Sequence, residues 1–358
     1  MPSIRQYDSP NVFSDLGGIW NKLVVDSPLP SIFLTREWLT TWWRIFGESH
    51  RLSILVFREG SDIVGIAPLY IRRRAISPLL NIREVLPVGA GATVRSEDMD
   101  IIAAKNSYSS CVESTLAFWE GRNDWHSMIL TDARRRLLFS LLSSSTSLPI
   151  QVLSESLCYR INVPASFDDY LDGLDRKKRR ALLYRRRRLE REFTVEYHRL
   201  ETPDEVPSWL KIFESLHTWR WRQKGQPGKF ANPGYREFHQ EISRRFFEKK
   251  WLFARDLKLN GKTVAAAYCF LFNNTLYFYQ TGFDPRLGQY EVMKALIAMI
   301  IEECIGKRIA TFDFLAAAED YKRRFSNEFR KITSVRIINR RPAGRLYGRA
   351  QSLREIWA

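Results

Sequence analysis

The chain has 358 residues, 45% of them apolar and 13% aromatic, and a formal net charge of +16. This apolar content excludes a disordered polyanion binder, and at roughly 150 residues per domain the length points to about two domains. No stretch approaches the roughly 20 apolar residues of a membrane span, and the first residues lack a signal-peptide core. A cytoplasmic protein is therefore expected, and its charge favours polyanionic partners, including contact with an anionic membrane surface.

In chain order, "TREWLTTWWRIFG" reads as a helix, followed by a hairpin from Arg51 to Arg74 that turns at Glu59-Gly60-Ser61-Asp62. "LPVGAGATVRSEDMDIIA" then brings a glycine-rich turn with Glu97, Asp98 and Asp100, either facing an acceptor or forming a surface loop. The serine-rich "SLLSSSTSLP" and the following "NVPASFDDYLDGL" place a seam near residues 150–165. The four cysteines, Cys111, Cys158, Cys269 and Cys304, are scattered and read as reduced, buried thiols. Neither they nor the five histidines show metal-ligand spacing, so no metal site is expected.

Between Asp175 and Phe193 lie ten Lys/Arg and three acids, a local charge of +7 that leaves +9 for the rest of the chain. Taken alone, "RKKRRALLYRRRRLER" suggests nucleic acid. Leu174, Leu182, Leu189 and Phe193 nevertheless fall on one helical stripe, which a solvated tail would not need. The tract is expected to be a helix with a basic outer face and an apolar inner one.

The second half repeats the first half's plan. Helices in "VPSWLKIFESLHTWRWRQKG" and "NPGYREFHQEISRRFFEKK" precede three strands at about 251–259, 262–272 and 275–283. Asn260-Gly261 and Asn273-Asn274 make the turns, because these residues tolerate positive φ. A helix from Tyr290 to Ile305, a strand from Ile309 to Leu315, a helix in "EDYKRRFSNEF" and a last strand in "KITSVRIINR" follow. The repeated layout points to two copies of one module: residues 1–155, then 156–340, with a basic tail at 341–358. In "DPRLGQYEVMKAL" a helix start lies beside Arg286, Gly288 and Gln289, and free N–H groups at such a start favour phosphate. Glu291 in the same loop repels it.

These segments resemble the GNAT acyltransferases. Together with "FLTREWLTTWWRIFG", "LHTWRWRQKGQPGKF", "YQTGFDPRLGQYEVMKALI" and "FDFLAAAEDYKRRF", nearly the whole chain from Phe33 to Ile338 is similar to the CelD-type tandem-GNAT acetyltransferases associated with cellulose biosynthesis, relatives of the Fem aminoacyl transferases. The resemblance implies an α/β (α+β) fold of tandem GNAT-like modules, each a mixed, largely antiparallel sheet flanked by helices. It also implies an acyl-CoA donor, acetyl-CoA, lying along Gln280, Thr281, Gly282 and Phe283 with its pyrophosphate at Arg286, Gly288, Gln289 and Tyr290. The acceptor would be an amine, for instance in exopolysaccharide or cell-envelope synthesis.

An amine with a pKa of about 10.4 is mostly protonated at pH 7, so a base has to take its proton. Asp313 and Glu319 are the candidate bases, each with a structural alternative: solvent exposure for Asp313 and helix-start stabilisation for Glu319. Tyr321 falls where the resemblance implies a proton donor for the departing thiolate. Lys322 and Arg324 would meet acidic groups, and His217 and Trp221 would border the acceptor. Two other functions stay open: Fem-like transfer from aminoacyl-tRNA, and non-enzymatic nucleic-acid binding through the arginine tract.

Overall fold

The structure is a computed structural model that describes residues 1–77, 80–316 and 319–340. It divides into two compact units, Met1–Ser156 with Lys331–Arg340, and Leu157–Arg330. The last strand divides between the units at 330/331, because its carboxyl half pairs within the first. The expected basic tail, 341–358, lies outside the described residues.

The first unit runs β1 (Ser3–Tyr7), α1 (Val12–Asp15), α2 (Gly17–Asp26), α3 (Arg36–Phe46), β2 (Arg51–Glu59), β3 (Asp62–Ser77), β4 (Leu80–Pro87), β5 (Ile102–Ala103), α4 (Tyr108–Glu120), β6 (Ser127–Arg134), α5 (Arg135–Ser143) and β7 (Ile150–Asn162), whose end belongs to the second unit. Strands β1 to β4 pair antiparallel in sequence order. β4 meets β6 in parallel at Glu84 and Val85, which makes the sheet mixed.

The second unit continues with α6 (Phe167–Asp172), α7 (Arg176–Glu192), β8 (Val195–Arg199), α8 (Glu205–Arg222), α9 (Pro233–Glu248), β9 (Leu252–Leu259), β10 (Lys262–Phe272), β11 (Thr275–Phe283), α10 (Val292–Gly306), β12 (Thr311–Ala316), α11 (Asp320–Phe325) and β13 (Glu328–Ile338). From β8 the order is strand, two helices, three-strand meander, helix, strand, helix, strand, the same plan that the first unit follows from β1 with extra short pieces. Strands β8 to β11 are antiparallel neighbours. β11 pairs in parallel with β12, and β12 pairs antiparallel with the Cys158–Asn162 end of β7.

The meander turns where sequence places them. Asn260 and Gly261 have φ of 50° and 75°, and Asn273 and Asn274 have 45° and 58°, values that suit tight hairpin turns.

The arginine tract is the helix α7, capped by Asp175, whose side chain accepts the Lys178 N–H at 2.8 Å. Leu182 and Leu189 are buried in the same apolar core as Leu296, Ile297 and Ile300 of α10, with Leu174 and Phe193 packed against it. Lys177, Arg180, Tyr184 and Arg187 face solvent. The apolar stripe holds the helix in place, and Leu189→Ala is expected to cost about 2–5 kcal/mol. Urea denaturation measures this, and a loss below about 0.5 kcal/mol would mean that the stripe does not anchor α7.

Candidate functional site in the second unit

Strands β11 and β12 pair over three residues each, Thr275–Tyr277 against Thr311–Asp313. No further pairs between them follow among the described residues, so the strands part toward their carboxyl ends. The cause lies in β12. Leu315 has φ of 59°, and the register with β7 shifts between Asp313 and Ala316, as at a β-bulge.

Asp313 holds this irregularity. Its carboxylate accepts the Leu315 N–H at 2.8 Å and two N–H groups of Arg330 at 3.0 and 2.9 Å. Lys322 secures the strand end by donating to the Ala316 carbonyl at 2.9 Å. Both side chains are buried.

Beside the carboxyl end of β11 lies a cavity of about 260 Å³ lined by Arg220, Thr281, Phe283, Gly288, Glu291, Val292, Met293, Lys294 and Tyr321. Five elements of the second unit supply it: α8, β11, the 3₁₀ turn Pro285–Tyr290, α10 and α11. Arg220 donates to the Thr281 hydroxyl at 2.8 Å, lies 3.4 Å from Glu319, and covers the Phe283 ring at 5.5 Å. Lys322 is 3.8 Å from the other Glu319 oxygen. Burial, and then the Glu319 charge, push the Tyr321 phenol far above its ordinary value. Tyr321 therefore keeps its proton at neutral pH.

The helix expected from Tyr290 begins at Val292. Pro285–Tyr290 forms the 3₁₀ turn, and Glu291 between them is left-handed, with φ 48° and ψ 42°. A non-glycine residue held there costs about 1–3 kcal/mol. Its carboxylate pairs with Arg185 of α7 and Lys294 of α10. Burial opposes its charge, but the hydrogen bonds from Lys294 and Arg185 outweigh it and hold the carboxyl below the ordinary glutamate value. Next to it, Arg188 donates to the Gln289 carbonyl at 3.1 Å and covers the Tyr290 ring at 4.4 Å. The inner arginines of the basic helix thus reach the start of α10.

Of the expected site residues, Thr281, Phe283, Gly288 and Tyr321 line the cavity, and Glu319 joins it through Arg220. Arg286 lies outside it on the same turn, paired with Asp284 at 2.7 Å and 4.6 Å from the Trp219 ring. Gly282 is where α8 crosses β11. A Cβ there would lie 2.6 Å from the His217 nitrogen, so the glycine permits the crossing. Arg324 is exposed on α11.

His217 is buried within the second unit. Its Nε2 accepts the Trp221 indole N–H at 3.0 Å. Burial, then the Arg220 charge, lower its pKa to about 4 despite the opposing Gln280 hydrogen bond, which leaves a neutral imidazole inside α8.

Arg220 and Lys294 complete the site and were not singled out in the sequence, whereas Arg185 belongs to the arginine tract expected to draw in a polyanion and Glu291 to the loop read as phosphate-binding.

The first unit has no equivalent opening among the described residues. Val88, Ala90, Val94, Met99 and Ile101 of the glycine-rich loop are buried, and the cavity bordered by Pro87 of β4 and Leu130 of β6 measures about 20 Å³. Glu97, Asp98 and Asp100 are buried as well. Asp98 pairs with Arg134 at 2.6 Å, and Asp100 accepts the Tyr108 hydroxyl at 2.7 Å. A larger hollow of about 610 Å³, lined by His50, Arg51, Arg73 and Arg83, lies at the opposite strand ends.

Residues 176–323 match the family described as an acetyltransferase (GNAT) domain. This stretch runs from the start of α7 into α11 and is similar to GNAT-type domains, and the basic helix lies inside the match. No curated protein matches the chain in sequence. Among solved structures, FemX is similar with a TM-score of 0.65 and 10% identity over 96% of this chain and 99% of that one. A conserved protein of unknown function from Bacteroides thetaiotaomicron VPI-5482 is similar at 0.59, with 14% identity over 94% and 100%. L-PGS from Bacillus licheniformis is similar at 0.50, with 13% identity over 87% and 92%. At these identities the likeness is one of fold, a mixed sheet flanked by helices.

No helix among the described residues is long and apolar enough to cross a membrane.

Proposed function

We propose that the protein is an acyl-CoA-dependent N-acyltransferase of the CelD type. It uses acetyl-CoA as donor and acts in the cytoplasm on an amine of a polysaccharide or cell-envelope precursor. The observation that carries this is the cavity beside the carboxyl end of β11, where β11 has parted from β12, which reaches the start of α10 and has a protonated phenol on its wall.

In this reading the pantetheine arm lies along Gln280–Phe283, and the pyrophosphate lies over Gly288–Tyr290 and the start of α10. The amine attacks the thioester carbon, and Glu319, held by Arg220, takes its proton directly or through water. Tyr321 gives its proton to the departing sulfur and regains one from its hydrogen-bond partner Glu319, which holds the proton taken from the amine. Arg220, with one N–H group on Thr281, carries the positive charge that the developing oxyanion needs.

Asp313, bound on both oxygens, keeps the wedge open rather than acting as base. Lys322 secures the end of β12, and His217 and Trp221 stiffen α8 behind the site. The first unit, with its wedge filled, has no reaction of its own in this reading.

Acetyl-CoA at a hundredfold excess over its Kd is expected to stabilise the protein by about 2.7 kcal/mol, read as a rise in Tm. No rise at millimolar acetyl-CoA would sink the proposal.

A second reading, transfer of an amino acid from aminoacyl-tRNA, is favoured by Glu291, whose carboxylate lies where the pyrophosphate is expected. Binding of tRNA without any response to acetyl-CoA would select it. A purely nucleic-acid-binding role has less support, because Arg185 and Arg188 are engaged within the domain.

A further inference from the structure

The acids and bases at the start of α10 form a closed set. Arg185 comes from α7 and Lys294 from α10, and both converge on one carboxylate that lines the cavity. A carboxylate beside the first turn of a 15-residue helix satisfies the same field that attracts phosphate.

The backbone at this position favours another residue. Its left-handed conformation suits glycine or asparagine, yet the chain has a glutamate there. Loop geometry does not account for that choice, but the charge does, since without Glu291 two partly buried cations would lose the carboxylate they share.

We infer that Arg185 and Lys294 form the phosphate subsite of the donor cleft, and that Glu291 is its built-in counter-ion, which a diphosphate-bearing donor has to displace. This rests on the acyl-CoA reading and adds to it a residue that sets donor affinity. The inner half of the arginine tract thereby gains a specific role, since Arg185 is shared between the internal carboxylate and the incoming phosphate. Displacement exchanges one negative charge for a more highly charged group between the same two cations, so the filled site keeps its charge pairing and the empty site keeps its fold. Donors lacking a phosphate gain nothing from the exchange.

The test is calorimetric titration of the full-length protein with coenzyme A and with inorganic pyrophosphate, at two salt concentrations. Glu291→Gln removes the charge and keeps the side chain, and Glu291→Gly also relieves the backbone. Both are expected to bind coenzyme A at least tenfold more tightly than the unaltered protein. Arg185→Gln is expected to weaken binding at least tenfold, with a smaller salt dependence.

If the unaltered protein binds coenzyme A and Glu291→Gln binds it equally or more weakly, the counter-ion proposal is wrong and the acyl-CoA reading stands. If none of the proteins binds coenzyme A or pyrophosphate, both fall together.

Discussion

Tyr321→Phe is expected to lower kcat for acyl transfer by about 10²–10⁴-fold, the range for losing a positioned proton donor, while the Tm rise with acetyl-CoA persists. The ring still packs in the cavity wall, and only the hydroxyl is lost, so donor binding and fold are spared. The loss should depend on pH in one direction. A thiol of pKa about 8.5 needs a proton to leave below that pH and leaves as thiolate above it, so the defect is largest near pH 7 and shrinks toward pH 9. Release of free thiol from acetyl-CoA, with the best acceptor from a panel of amines, measures this. A kcat within threefold of the unaltered protein would remove Tyr321 from the chemistry.

Asp313→Asn is expected to act on stability rather than on the reaction. The Asp313 and Arg330 side chains are only 4% and 13% exposed, and removing one partner of such a pair typically costs about 3–5 kcal/mol because the other charge is left buried. Chemical denaturation reads the loss. The pH profile of kcat/KM of the surviving enzyme is expected to keep its shape, whereas Glu319→Gln should abolish its basic-group limb. An Asp313→Asn protein of unchanged stability with a lost limb would reverse the two roles.

The sequence and the structure agree most closely where physics is local. The three strands of the meander were legible to within a residue, because asparagine and glycine turns lie between runs of β-branched and aromatic residues. The basic helix was legible for a similar reason. Its charges suggested nucleic acid, but four apolar positions on one stripe require a surface to pack on, and Leu182 and Leu189 have one in the core with α10.

The start of α10 was read two residues too early. The apolar pattern beginning at Tyr290 continues without a break, and nothing in it shows that Glu291 turns left-handed to place its carboxylate between two cations.

The site itself depends on pairs that local patterns do not reveal. Arg220 meets Thr281 across 61 residues, Arg185 meets Glu291 across 106, and Arg330 meets Asp313 across 17. Alternation along a strand says that Asp313 points away from Phe312 and Phe314. It does not say that an arginine and a bulged N–H wait there.

Sequence by itself determined the element order, the turns and the amphipathic basic helix, since turn chemistry and apolar periodicity act between near neighbours. Tertiary structure alone decided which strand pair parts, which carboxylate is locked and which borders the cavity, and that the first unit's wedge is filled. Each of those depends on which distant side chain reaches a buried charge or an open space.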